Sequence, residues 1–197
     1  MEEVTTYTAF ADDRMVASGP LRPMLAAAKS FLEKKPAVRL LVFEDHSGRE
    51  VDFDFRGTLE EVLARALPPA AAARPGRPKL GVVGREVSLL PRHWEWLEQQ
   101  PSGISAALRR LVDEARKREP GKQRARALRE AAGRFMTAMA GDRPGFEEAT
   151  RALYAGDLRR LEGLVSSWPV DVRAKALRYA REAARLERGE PGPVAGA

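Results

Sequence analysis

The chain has 197 residues, 44% hydrophobic and 31% charged, with 34 Lys and Arg against 28 Asp and Glu for a net charge of +6. That length and apolar content fit one large domain or two small ones with a buried core, and exclude wholesale disorder. Cysteine is absent and there are only 2 histidines, His46 and His93. This excludes a disulfide framework, a thiolate nucleophile, a cysteine-ligated metal and a histidine-rich metal site.

Residues 1–68 read as a small α+β domain. Thr6 to Phe10 and Met15 to Ala17 form two short strands around Asp12-Asp13. Pro23 to Lys34 is helical, with Met24, Ala27, Ala28, Phe31 and Leu32 on one stripe. Val38 to Glu44 and Val51 to Phe55 alternate around Asp45-His46-Ser47-Gly48, which is hairpin chemistry. Val51, Phe53 and Phe55 point one way, Asp52 and Asp54 the other. Glu44, Asp45, Asp52 and Asp54 read as a solvated acidic face in preference to a cation site. Thr58 with Glu60 and Glu61 opens a second helix that runs to Leu67.

Residues 69–79 are a basic Pro/Gly linker by composition. A segment at 80–120 follows: a strand from Leu80 to Leu90, then helices at about 91–100 and 104–118. Pro91 suits a first helical turn. Ile104, Leu108, Leu111, Val112 and Ala115 form an apolar stripe, with Arg109 and Arg110 off it. Residues 121–188 read as a helical bundle with helices at about 123–140, 146–154, 157–166 and 170–188. Residues 189–197 read as a flexible tail. The expected fold class is α+β.

Charge is uneven along the chain: net −3 over residues 1–73, +7 over 74–130 and +2 over 131–197. An arginine-rich basic segment is the electrostatic footprint of a nucleic-acid binder. The strand at 80–90 lacks a neighbour in sequence and must find one, because a lone strand is marginal. Either it joins the N-terminal sheet or it pairs with the same strand of a second copy.

An alternating strand, a Pro at a helix start, a Gly/Ser turn and Ser105-Ala106-Ala107-Leu108-Arg109-Arg110-Leu111-Val112 resemble the ribbon–helix–helix (Arc/MetJ-like) DNA-binding family over about residues 83–118. The resemblance implies a homodimer whose paired strands enter the DNA major groove. Strand parity stays open: either Val87 and Leu89 face inward, or Ser88 and Leu90 do. Upstream, Gly76-Arg77-Pro78 between Arg74 and Lys79 is similar to an AT-hook, although Pro75 stands where the hook has a basic residue. Gly-Arg-Pro-Lys-Leu-Gly-Val-Val at 76–83 and Leu-Leu-Pro-Arg-His-Trp-Glu-Trp-Leu at 89–97 resemble an uncharacterised family of bacterial proteins, which implies no function.

The expected DNA contacts are Arg74, Arg77 and Lys79 in the linker arm, and Arg85, Ser88 and Arg92 along the strand and first helix. Ser102, Ile104, Ser105 and Arg109 at the second helix complete them, its first amides anchoring a phosphate. No P-loop, dinucleotide glycine motif, nucleophile elbow or zinc-protease motif occurs. The expectation is therefore a non-enzyme with no catalytic residues, cofactor or metal. Its expected partners are double-stranded DNA and a second copy. No apolar run nears the roughly 18 residues of a membrane span, and Met-Glu-Glu-Val opens without a leader pattern; the expected place is the cytoplasm, on the nucleoid. The competing expectation is a protein-interaction or oligomerisation module with no nucleic-acid role.

Overall fold

The computed structural model describes residues 4–67, 85–118 and 120–190, the side chains of 116–120 excepted. The chain divides into two compact units, one made of residues 1–69 with 121–197 and the other of residues 70–120. The N-terminal and C-terminal segments, which read as separate domains in the sequence, thus share one unit. The linker with Arg74, Arg77 and Lys79, the strand residues 80–84 and the tail from 191 lie outside the described residues.

The first unit is organised by a three-stranded antiparallel sheet of order β2-β1-β3, built from β1 (Thr6–Ala11), β2 (Arg14–Pro20) and β3 (Leu40–Glu44). Asp12-Asp13 closes the first hairpin, with Asp12 in the left-handed region that Asp tolerates in turns. Period-two geometry sends alternate residues to opposite faces. Ala9 and Val42 face α1 (Leu21–Lys34) and α2 (Leu59–Ala66), sharing a buried cluster with Met24, Leu25, Ala28, Val62 and Leu63. Phe10 and Phe43 face the other way and join the cluster of α5 (Pro120–Ala140), α6 (Phe146–Ala155), α7 (Leu158–Leu164) and α8 (Val170–Glu187).

The centre of that second cluster is aromatic. Phe135 lies 5.4 Å from Phe10, 5.1 Å from Phe43 and 6.2 Å from Tyr179 between ring centroids. Such edge and tilted pairs add to simple area burial. This contact is why residues 121–188 do not stand alone as a bundle: the bundle's apolar face is completed by the sheet.

α2 opens with the capping box that Thr58 announces. Its hydroxyl accepts from the Glu61 amide at 3.3 Å, and the Glu61 carboxylate accepts from the Thr58 amide at 2.7 Å. α6 carries Glu147 and Glu148 in its first turn, and α7 is capped by Asp157, whose carboxylate accepts from the Arg160 amide at 3.0 Å.

Two predicted strands differ from what forms. Residues 51–55 carry no strand; the pairing ends after the isolated Phe43–Glu50 bridge and a 2.7 Å bond from the Val51 amide to the Val42 carbonyl. The side-chain alternation survives, with Phe53 and Phe55 packed on the α1/α2 cluster and Asp52 and Asp54 exposed. The backbone is engaged elsewhere: the Asp54 carbonyl accepts from Arg65 at 3.0 Å, and the Asp54 carboxylate binds the Arg56 amide and guanidinium. Residues 85–90 likewise form no strand, and they do not join the β2-β1-β3 sheet.

The turn after β3 explains one glycine. Gly48 sits at φ 64°, and a Cβ there would lie 2.1 Å from the Ala131 carbonyl oxygen of α5. Both the left-handed backbone and the helix backbone oppose any side chain. Gly48→Ala is expected to lower unfolding stability by at least about 2 kcal/mol, read as a lower midpoint in urea with an unchanged slope. A midpoint within error of the wild type would show that the turn does not press on α5.

The second unit holds α3 (Pro91–Glu98) and α4 (Ile104–Arg118), which contact one another. Pro91 occupies the first turn of α3. The turn between them runs through Gly103 at φ 75°.

Candidate functional site

Two places concentrate chemistry, one in each unit. In the second, residues 85–90 lead into α3 with neither helix nor strand, and Leu90 sits at φ −68°, ψ 151°. Arg85, Ser88 and Arg92 are exposed along this lead-in and the first turn of α3. Ser102, Ser105 and Arg109 are exposed and Ile104 half-buried around the start of α4. The Gly103 carbonyl accepts the first helical bond, from Ala107 at 3.0 Å, so the Ile104 and Ser105 amides sit ahead of the ladder. The Arg109 guanidinium folds back to donate to the Ser105 carbonyl at 3.2 Å. The structure brings Ser102, Ile104, Ser105 and Arg109 into one turn region. No hydrogen bond among the described residues joins them to Arg85, Ser88 or Arg92.

The apolar face of this segment is largely open. Leu97 and Ala107 are buried, but Val87, Leu90, Trp96, Leu111 and Val112 are exposed, from 38% at Leu111 to 56% at Val87 and Val112. Trp94 is half-buried and Trp96 is 46% exposed. Large apolar side chains left in water mark a surface that takes a partner where they gather into a patch.

The second place is a buried polar network in the first unit. Thr6 and Thr8 share the β1 face that carries Phe10, and Asp45 continues the β3 face that carries Phe43. Lys175 meets them from α8. Its ammonium donates to Asp45 Oδ1 at 2.5 Å and to Thr8 Oγ1 at 2.9 Å, and lies 5.0 Å from the centre of the Tyr179 ring. Thr6 and Thr8 each donate to Asp45 at 2.7 Å. Because the Thr8 proton is committed to Asp45, the 3.1 Å contact with Ser18 has Ser18 donating.

The charges of this network respond to burial and to each other. Burial alone would push the Asp45 carboxyl up, yet the Lys175 ammonium and the hydrogen bonds from Lys175, Thr6 and Thr8 hold it below the ordinary carboxylate value. Burial draws the Lys175 value down, against the pull of Asp45, with Arg178 adding to the decrease. Burial pushes the Tyr179 phenol up, reinforced by the Asp45 charge.

Asp45, read from sequence as part of a solvated acidic face, is therefore 9% exposed and ion-paired. Lys175 was not visible as a functional residue. One signal for it does exist: it falls on the apolar stripe of Val172, Ala176, Tyr179 and Ala183, where a lysine needs a buried acceptor. His46, in the turn, is exposed and lies 3.5 Å from Glu44.

A family model described as "Uncharacterized protein conserved in bacteria (DUF2239)" matches residues 6–180. No curated protein and no solved structure matches the chain. No helix among the described residues is long and apolar enough to cross a membrane.

Proposed function

For this chain, which belongs to the DUF2239 family of bacterial proteins, we propose a homodimeric DNA-binding protein of the regulator or nucleoid-factor kind. The observation that carries this is the state of residues 85–112. A segment without a sheet partner leads into two helices, and Val87 and Leu90 in that segment, with Trp96, Leu111 and Val112 on the helices, stay in water. A second copy placed across a twofold axis covers such a surface and gives residues 85–90 an antiparallel neighbour, the arrangement of ribbon–helix–helix proteins. The net +7 over residues 74–130 supplies the attraction to phosphate. The open amides at the start of α4 supply an anchor for one phosphate. In this reading Arg85 or Glu86 meets base edges, depending on strand parity, while Arg74, Arg77 and Lys79 follow the backbone or the minor groove. The protein performs no reaction.

The same exposed apolar side chains also favour a second reading, a protein-interaction module without DNA. Light scattering at micromolar concentration, with anisotropy titrations of random duplex DNA at two salt concentrations, separates the two. The expected result is a dimer whose log affinity falls linearly with log salt, by about 0.9 per phosphate contact. A dimer with no DNA affinity selects the second reading, and a monomer without DNA affinity removes the first.

A further inference from the structure

We propose that the cleft beside the Lys175–Asp45 pair binds a small organic anion, with a carboxylate or phosphate head on an apolar body. The cleft has a volume of about 690 Å³ and is walled by the chain before β1, the turn after β3, α5 and α8, all in the first unit. That volume falls within the range of roughly 300–1,000 Å³ typical of small-molecule sites. It exceeds what an inorganic ion would fill.

The walls divide by chemistry. Val4, Leu128 and the Tyr179 ring give it apolar surface, and Arg178 gives it positive charge. Both acids among the described wall residues are already ion-paired. Asp45 is held by Lys175, and Glu182 is held by Arg185 at 2.9 Å. Arg178 is exposed and has no carboxylate partner within ion-pair distance among the described residues. Arg178 therefore offers an unpaired positive charge to an occupant, and an arginine fork suits a carboxylate or phosphate.

A second observation points the same way. Tyr179 is 4% exposed, and its hydroxyl has no hydrogen-bond partner. Buried hydroxyls are almost always paired, and a lone one calls for an explanation. A ligand oxygen reaching the Tyr179 wall supplies the missing acceptor. The network behind it holds that wall in place, since Lys175 is fixed between Asp45, Thr8 and the Tyr179 ring.

This inference does not rest on the DNA-binding reading, and its test keeps the two apart. The full chain is titrated by calorimetry with benzoate, adenosine monophosphate and inorganic phosphate at physiological salt. At least one of the two organic anions is expected to bind saturably and more tightly than inorganic phosphate, and the tighter of the two assigns the head group. Arg178→Glu, a change at an exposed position, is expected to weaken that binding about tenfold or more with no change in the ligand-free melting temperature. Tyr179→Phe is expected to weaken it while the protein stays folded. Ser105→Glu, at the start of α4, is expected to leave it unchanged. The proposal is overturned if neither organic anion binds saturably, if Arg178→Glu binds as well as the wild type, or if Ser105→Glu removes the binding.

Discussion

If the protein binds DNA as proposed, Ser105→Glu is expected to weaken that binding by about 100-fold or more while leaving the protein folded and the proposed dimer intact. Ser105 is exposed in the first turn of α4 and belongs to neither buried cluster. An acid there suits the helix, because negative charge is favoured at an N-terminus. It also gains Arg109 four residues on, an ion pair that supports the helix slightly. In the proposed DNA-binding mode the same carboxylate takes the place of a DNA phosphate, repels it, and draws Arg109 away from it. A charge-assisted phosphate bond is worth about 1.5–3 kcal/mol, and a symmetric dimer loses two. Stability and affinity therefore separate, which damage to the core could not produce. Circular dichroism and sedimentation check the fold and the dimer, and anisotropy at low salt measures DNA affinity. A folded, dimeric variant that binds DNA as tightly as the wild type would falsify docking through the start of α4.

Lys175→Met is expected to cost about 3–5 kcal/mol at neutral pH, the usual consequence of stranding one member of a buried ion pair. For a chain of this size that is a fall in melting temperature of roughly 6–20 °C. Met keeps most of the lysine stem, so lost volume contributes little, and what remains is an unpaired carboxylate at Asp45. The pH dependence gives the sign. In the wild type, Asp45 has a lowered folded value. Its contribution is thus full above the ordinary carboxylate value of about 3.8 and is lost as pH falls through the lower folded value. In Lys175→Met the cation is gone and burial dominates, pushing Asp45 up. The variant's deficit is then largest near neutrality and shrinks as the medium is acidified and Asp45 takes a proton. Asp45→Asn combined with Lys175→Met is expected to recover much of the loss at neutral pH. Thermal melts across pH 3 to 8 measure this, and a deficit of constant size over that range would mean that packing, not charge, is what Lys175 contributes.

Local signals were legible wherever a residue's role is decided within a few positions. Thr58 with Glu60 and Glu61 announced α2, and Pro91 announced α3. These depend on backbone amides and dihedral limits that the neighbouring sequence already fixes. Alternation at Val51, Phe53 and Phe55 was equally legible as a side-chain pattern, but it did not secure a ladder. A ladder needs a partner with free amides, and Arg65, eleven residues away from Asp54, claims the Asp54 carbonyl instead. The helix predicted from Gln123 begins at Pro120, and residues 85–90, the described part of the strand predicted over 80–90, form no strand.

The sequence by itself determined the α+β character, the order of the helices and of β1 to β3, and the basic middle third, because propensity, capping and charge are local or additive quantities. Only the tertiary structure decided that the first and last thirds make one unit, and that Asp45 is a buried partner of Lys175 rather than one of four solvated acids. The physical reason is that burial belongs to the packed assembly. Asp45 and Lys175 stand 130 residues apart, and neither has a local pattern that names the other. They meet because the Phe10 and Phe43 face of the sheet needs a cover. α5 and α8 provide it through Phe135 and Tyr179, and that hydrophobic closure carries the lysine down onto the carboxylate.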